Sequence, residues 1–296
     1  MEKRFKVGLV QMSMSKETDI NRNKAVKLVE EAADKGANVI LLPELYSSQY
    51  FCQKEDIELF NLAEKIPGKS TSIFCETAKR TSTVIIVPLF EKRTVGLYHN
   101  SLVVVNSAGE IIGVYRKMHI PDDPSFYEKF YFAPGDLGFK VFDTEFGKLG
   151  TLICWDQWFP EGARITTLMG AIALFYPTAI GWHPYEKEKY GETQREAWKT
   201  VQRGHAIANG LYVCVCNRTG FEKTVETQGG IEFWGSSFIT DPQGVIIAEA
   251  PINKEAVIVA EIDIDHIEEV RRNWPFLRDR RTDHYGDIAK LFIDQK

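Results

Sequence analysis

Two short apolar runs bracket an amphipathic stretch at the start of the chain, and this arrangement restricts the possible folds more than any other feature. Residues 5–11, Phe5-Lys6-Val7-Gly8-Leu9-Val10-Gln11, read as a buried strand. Residues 18–35 then put Val26, Val29 and Ala33 on one helical face, and Gly36 follows where a helix end favours positive φ. Residues 37–42 form a second strand, which stops at Pro43-Glu44 because proline cannot continue a ladder. A strand–helix–strand unit of this kind implies a parallel pair.

The pattern repeats with a helix near 70–80 and a strand over 84–88. Hairpins then enter: strands at 101–106 and 111–115 flank Ser107-Ala108-Gly109-Glu110, and strands at 139–143 and 148–154 flank Phe146-Gly147. A strand at 171–175, a long helix at 192–209 and a strand at 212–216 resume the alternation. Strands at 237–240, 244–248 and 256–262 follow, around the turn Asp241-Pro242-Gln243-Gly244. No linker, repeat or low-complexity tract interrupts the series. The expectation is one α/β domain over residues 1–275, with two packed sheets and helices on the outer faces. The tail, 276–296, carries Arg278, Asp279, Arg280, Arg281 and Asp283 and is expected to be solvated or to lie across a partner subunit.

Composition narrows the function. Of 296 residues 44% are apolar, enough for a substantial core, while 36 basic against 41 acidic residues leave a net charge of −5. Such a chain is a poor partner for nucleic acid. No apolar run approaches the roughly 20 residues of a membrane span, and the N-terminus enters the first strand without a signal-peptide core. Five scattered cysteines, an odd number, argue for free thiols and a cytoplasmic location.

Several motifs fail on inspection. Gly68-Lys69-Ser70 looks like the end of a phosphate loop, but the first glycine of that pattern would fall at Ala63. No G-x-G-x-x-G follows the first strand, so a dinucleotide cofactor is not expected. The six histidines form no ligand cluster, so no metal is expected either. Cys214 and Cys216, two apart on a strand, read as small buried residues rather than a redox pair.

Cys154 is different. An apolar strand ends there, a polar turn follows, and Pro160 suits the first turn of a helix. A strand–turn–helix corner lifts a side chain out of the sheet and aims the next backbone N–H groups at the same space, as an acyl-transfer nucleophile requires. A thiol needs a base or a cation beside it to ionise near neutral pH. Glu44 lies just past a parallel strand, at the edge where open α/β sheets collect ligands, and Lys117 ends a hairpin strand before Pro121-Asp122-Asp123-Pro124. Each is ordinary alone; together they supply a thiol, an acid and a cation at three strand ends.

Three ordered segments, Leu41-Leu42-Pro43-Glu44-Leu45, Tyr115-Arg116-Lys117-Met118-His119 and Ile153-Cys154-Trp155-Asp156, resemble the nitrilase superfamily of carbon–nitrogen hydrolases. Within it, 117–124, 127–132, 154–161, 176–181 and 233–238 look like the N-carbamoylputrescine amidohydrolase branch. The resemblance implies a four-layer α-β-β-α sandwich with two mixed β-sheets, a homo-oligomer built on dimers through helix faces and tails, and no cofactor. It also implies a Glu44–Lys117–Cys154 triad, with Glu128 orienting Lys117 or the substrate. One departure stands out: after Thr178-Ala179-Ile180-Gly181 many relatives carry serine and then an acid, whereas this chain has Trp182-His183-Pro184.

On this reading Cys154 attacks a carbamoyl or amide carbon of a small molecule, Glu44 relays the protons, and Lys117 with the Trp155 N–H holds the oxyanion. Tyr50, Trp155 and Trp158 are expected to wall the substrate slot. Asp156, Glu186, Glu188 or Glu192 is expected to meet the substrate's ammonium. The alternatives are an N-carbamoyl-β-amino acid amidohydrolase or an ω-amidase, whose slot would end in a cation; a papain-like Cys–His hydrolase; and a non-catalytic assembly protein.

Overall fold

The computed structural model describes residues 3–223 and 229–294. Strand β1 (Arg4–Gln11) leads through helix α1 (Thr18–Asp34) to β2 (Val39–Leu41), and helix α2 (Lys69–Thr81) leads on to β3 (Val84–Thr94). Strands β4 (Leu97–Val105) and β5 (Ile111–Arg116) follow by hairpins. With a later strand these make one six-stranded sheet. β1, β2 and β3 run parallel, while β3–β4 and β4–β5 are antiparallel.

The second half repeats the plan: β6 (Lys140–Thr144), β7 (Gly147–Thr151), helix α3 (Pro160–Leu168), β8 (Ala173–Thr178), helix α4 (Pro184–Asn209) and β9 (Tyr212–Asn217). Then come β10 (Phe238–Thr240), β11 (Ile246–Glu249), β12 (Ala256–Asp263) and helix α5 (Ile264–Asn273). Here the order is β11-β10-β9-β8-β7-β6, again mixed, and β12 crosses back to close the first sheet antiparallel to β1.

Side-chain alternation assembles the layers. In β1 and β2, Val7, Leu9, Val39 and Leu41 pack between the sheets against Leu149, Phe175 and Val213. Val10, Ile40 and Leu42 point the other way, onto Val29 of α1 and Phe74 of α2. Trp198 and Ala206 of α4 and Ala163 of α3 cover the second sheet. The four-layer α-β-β-α sandwich with two mixed sheets is therefore the observed fold.

Three departures from the sequence reading have physical causes. Strand β3 runs through Pro88 to Thr94 rather than stopping at Pro88. The Ile86 carbonyl accepts Leu42 N–H, so Pro88 faces the β2 side just beyond the end of β2, where no ladder donor is needed. The strand expected to reach Cys154 ends at Thr151, and a 3-10 turn, Cys154–Trp158, begins instead. Helix α4 starts at Pro184, eight residues before the expected position, because its first two turns are largely exposed and lack an apolar period. A small sheet of 181–182, 219–222 and 231–234, legible in no pattern, supports those turns. All five cysteines are free, and Cys214 and Cys216 are fully buried. Among the described residues no helix is long and apolar enough to cross a membrane.

Candidate active site

Three strand ends converge between the sheets. Glu44 lies three residues beyond β2, at a turn in which Leu45 takes φ +50°. Lys117 follows the last residue of β5. Its N–H donates to the Asn100 carbonyl, and its own carbonyl accepts from Gly135 N–H. Cys154 opens the 3-10 turn at φ +42°, a left-handed conformation that a non-glycine residue holds only when its surroundings over-determine it.

The side chains meet. Lys117 Nζ lies 2.8 Å from Glu44 Oε1 and 2.6 Å from Glu128 Oε2, and all three residues are fully buried. Asn100 Nδ2 donates to Glu44 Oε1 at 2.7 Å, and the Tyr50 hydroxyl donates to Glu128 Oε1 at 2.7 Å. Three of the four carboxylate oxygens are thus engaged. Glu44 Oε2 is buried with no hydrogen-bond partner among the described residues. Backbone placement of Glu44 depends on Arg218, whose Nη2 donates to the Glu44 and Leu45 carbonyls at 2.7 and 3.0 Å. The same guanidinium pairs with Glu222, which in turn accepts Tyr50 N–H.

Cys154 is only 6% exposed, and it lines a cavity of about 370 Å³. Its sulfur makes one weak contact, 3.9 Å to the Ala179 carbonyl. Trp155, Trp158, Phe126 and Ile180 line the same cavity, as do Glu128, Asp123 and Glu186. No lysine or arginine is among the described residues that line it. His183 is also in the wall, stacked on Tyr185 with ring centroids 5.3 Å apart.

Electrostatics divide the protons. Burial pushes the Cys154 thiol well above its usual range; Glu44 and Glu128 push it further, against Lys117 and the Ala179 carbonyl contact. Burial by itself would depress Lys117, yet the Glu128 and Glu44 carboxylates outweigh it and hold the ammonium well above its ordinary value. Glu128 rises to about 6, chiefly through burial, with Lys117 working against the shift. The resting site therefore carries a neutral thiol and a fixed cation, and one carboxylate oxygen stands open to accept a proton. Such a set can deliver a thiolate to an electrophilic carbon and stabilise the charge that develops on its oxygen. Among the described residues no group of three or more His, Cys, Asp or Glu side chains could hold a metal ion, and no histidine hydrogen-bonds Cys154.

A family model for carbon-nitrogen hydrolases matches residues 6–272. The chain belongs to the carbon–nitrogen hydrolase family. An N-carbamoylputrescine amidase of Arabidopsis thaliana is 45% identical over 289 residues, covering 96% of this chain and 95% of that protein. A citrullinase of Francisella tularensis is 38% identical, covering 97% of this chain and 99% of the other. The crystal structure of a carbon-nitrogen hydrolase from Helicobacter pylori superposes with a TM-score of 0.95 at 47% identity, over 98% of this chain and all of that one.

Within this carbon–nitrogen hydrolase, Glu44, Lys117 and Glu128 are in contact, Cys154 and Glu128 line one cavity, and Trp155 and Trp158 line it too. Two expectations are corrected. Tyr50 is not in the cavity wall: it packs against Phe126 and Phe233 and spends its hydroxyl on Glu128. Asp156 is fully buried and turned away, accepting hydrogen bonds from Tyr115, His119 and Ile153 rather than facing a substrate. Of the other acids considered, only Glu186 reaches the cavity; Glu192 is exposed and pairs with Arg195, and Glu188 is exposed. Sequence reasoning missed Asn100 and Arg218. Asn100 had a visible signal, a polar run His99-Asn100-Ser101 leading into the apolar Leu102–Val105, whereas Arg218 had none, since the Glu44, Leu45 and Ser48 carbonyls it holds lie some 170 positions away.

Proposed function

We propose that this chain hydrolyses N-carbamoylputrescine to putrescine, carbon dioxide and ammonia, with Cys154 as nucleophile, Glu44 as general base and acid, and Lys117 as oxyanion donor. The observation that carries the reading is a buried Glu44 Oε2 without a hydrogen-bond partner, on the carboxylate whose charge acts on a buried neutral thiol. The thiol proton passes to that oxygen as sulfur bonds to the carbamoyl carbon. Lys117 Nζ and the Trp155 N–H hold the oxygen that becomes negative; losing one such donor costs about 3 kcal/mol of transition-state stabilisation. The C–N bond to the terminal amide breaks, its nitrogen takes the proton back from Glu44, and ammonia leaves the N-alkyl thiocarbamate on Cys154. Glu44 next deprotonates a water that attacks the thioester carbon, and the C–S bond breaks to restore the thiol. The carbamic acid so formed separates into amine and carbon dioxide. Glu128 keeps the Lys117 ammonium aimed.

Substrate preference follows from the charge of the wall. An ammonium four carbons from the ureido nitrogen suits a slot of Trp158, Phe126 and Ile180 with Asp123 and Glu186 among its acids. A lone carboxylate in that position, as in N-carbamoyl-β-alanine or an ω-amide of a dicarboxylate, meets the like charge of Asp123, Glu128 and Glu186, and citrulline sets such a carboxylate beside its ammonium. Glu186 takes the place of the acid that the Trp182-His183 turn lacks. Ammonia release from the three ureido compounds tests this. N-carbamoylputrescine should have the highest kcat/KM, and Glu186→Gln should raise its KM with little change in kcat. A preference for N-carbamoyl-β-alanine rejects the amine-binding slot, and a preference for citrulline rejects N-carbamoylputrescine as the substrate.

We also propose a homo-oligomer. Trp274, Phe276, Ile288 and Phe292 of the tail region and Ile165 and Leu168 of α3 are exposed, and none of residues 276–294 is buried in the single chain. Light scattering should give a multiple of the 33.7 kDa chain mass, and a monomer at micromolar concentration contradicts it.

A further inference from the structure

We propose that Asp156 is a positioning residue that sets the spacing between the Lys117 ammonium and the Cys154 sulfur. This inference rests on the catalytic roles proposed above. The Asp156 carboxylate is wholly buried, and both its oxygens are used twice. Oδ2 accepts the Tyr115 hydroxyl at 2.7 Å and Ile153 N–H at 2.9 Å. Oδ1 accepts His119 N–H at 2.9 Å and lies 2.7 Å from His119 Nδ1.

The sequence positions of these donors explain the geometry. Tyr115 and His119 lie two residues before and two residues after Lys117, so both flanks of the lysine are tied to one carboxylate. Ile153 and Asp156 itself bracket Cys154 in the turn where the nucleophile holds φ +42°. One side chain therefore braces the lysine segment against the cysteine elbow. The stacking of His119 on Phe159, with centroids 3.9 Å apart and planes within 7°, stiffens the same joint from outside.

The chemistry demands aspartate. Each carboxylate oxygen receives one backbone N–H, and neither of those can reverse its polarity. A carboxamide would have to set its NH2 group against Ile153 N–H or His119 N–H, leaving a buried donor facing a donor. A glutamate would need room for a further methylene at a site with no exposure.

Two variants test this, Asp156→Asn and the milder Tyr115→Phe, which removes one bond of the four. Three quantities are read: kcat and KM for N-carbamoylputrescine, thermal stability, and the pH dependence of Cys154 alkylation by iodoacetamide, followed by mass spectrometry of its peptide. Misalignment of about 1 Å can cost on the order of a hundredfold in rate. Asp156→Asn is accordingly expected to lower kcat at least tenfold with KM within threefold. Its alkylation profile should move to higher pH, because the cation that favours the thiolate recedes. Tyr115→Phe should move both in the same direction by a smaller factor. A folded variant with wild-type kcat and an unchanged alkylation profile overturns the proposal, as does a rise in KM at constant kcat. Should Asp156→Asn fail to fold, the Tyr115→Phe profile decides. Alkylation is measured without substrate, so it still reads the brace if N-carbamoylputrescine proves to be the wrong substrate.

Discussion

Replacing Lys117 with methionine shortens the side chain by one heavy atom and removes a cation held between two fully buried carboxylates, at 2.8 Å from Glu44 and 2.6 Å from Glu128. Breaking a buried ion pair from one side typically destabilises by about 3–5 kcal/mol, because the remaining charge keeps its desolvation penalty. A chain of 296 residues unfolds with an entropy of roughly 0.6 kcal/mol/K, so Tm should fall by about 5–8 °C at pH 8. The loss should also depend on pH. Glu128 already sits at about 6 with the ammonium in place, and without it this carboxyl group holds its proton more tightly still. An acid whose native pKa is raised binds more protons in the folded state than in the unfolded one. Its stability contribution is therefore present at low pH and declines as pH rises through the native value. Acidification from pH 8 to pH 5 should accordingly narrow the Tm gap between variant and wild type. Differential scanning calorimetry across that range, with ammonia release assayed in parallel, measures both. A gap below 1 °C at pH 8, or one that widens in acid, refutes the account of Lys117 as a charge required by its two neighbours.

Tyr50→Phe removes the hydroxyl that stabilises the ionised form of Glu128, an interaction of a kind worth about 1.5–3 kcal/mol. Its acid limb in kcat/KM should move to higher pH, and its Tm deficit should be largest at pH 8; a superimposable pH–rate profile contradicts this. Arg218→Lys keeps the charge but cannot reproduce the forked contacts to Glu44, Leu45, Ser48 and Glu222 or the stacking on Phe233. With two to three hydrogen bonds of about 1 kcal/mol each lost, Tm should drop by about 4 °C. Turnover should fall at least tenfold with KM nearly unchanged, and a Tm within 1 °C of wild type is the contrary result.

Much of the scaffold was readable in the primary structure because its signals are local. The alternation that places Val7, Leu9, Val39 and Leu41 on one face and Val10, Ile40 and Leu42 on the other is a property of consecutive residues, and it alone yields two-sided strands that need a layer on each side. Lys117 directly follows a strand, and Glu44 and Cys154 each lie three residues beyond one, so strand-end patterns pointed close to all three. Helix 184–191 carried no such signal, since exposed turns carry no apolar period, and Glu186 was therefore one acid among several until the fold placed it in the cavity wall.

The residue order thus dictated the layers and the backbone addresses of the reactive groups, through periods of two and 3.6 and through prolines and glycines that end elements. Only the assembled molecule decided what each polar side chain does at its address. Asp156 belongs to a buried joint rather than the slot, Tyr50 serves Glu128, and one oxygen of Glu44 stays open. The reason is distance along the chain: Asp156 meets donors 37 and 41 positions away, Lys117 meets Glu44 across 73, and Arg218 meets Glu44 across 174. Hydrogen-bond partners so far apart are selected by packing in three dimensions, and no window of neighbouring residues contains that information.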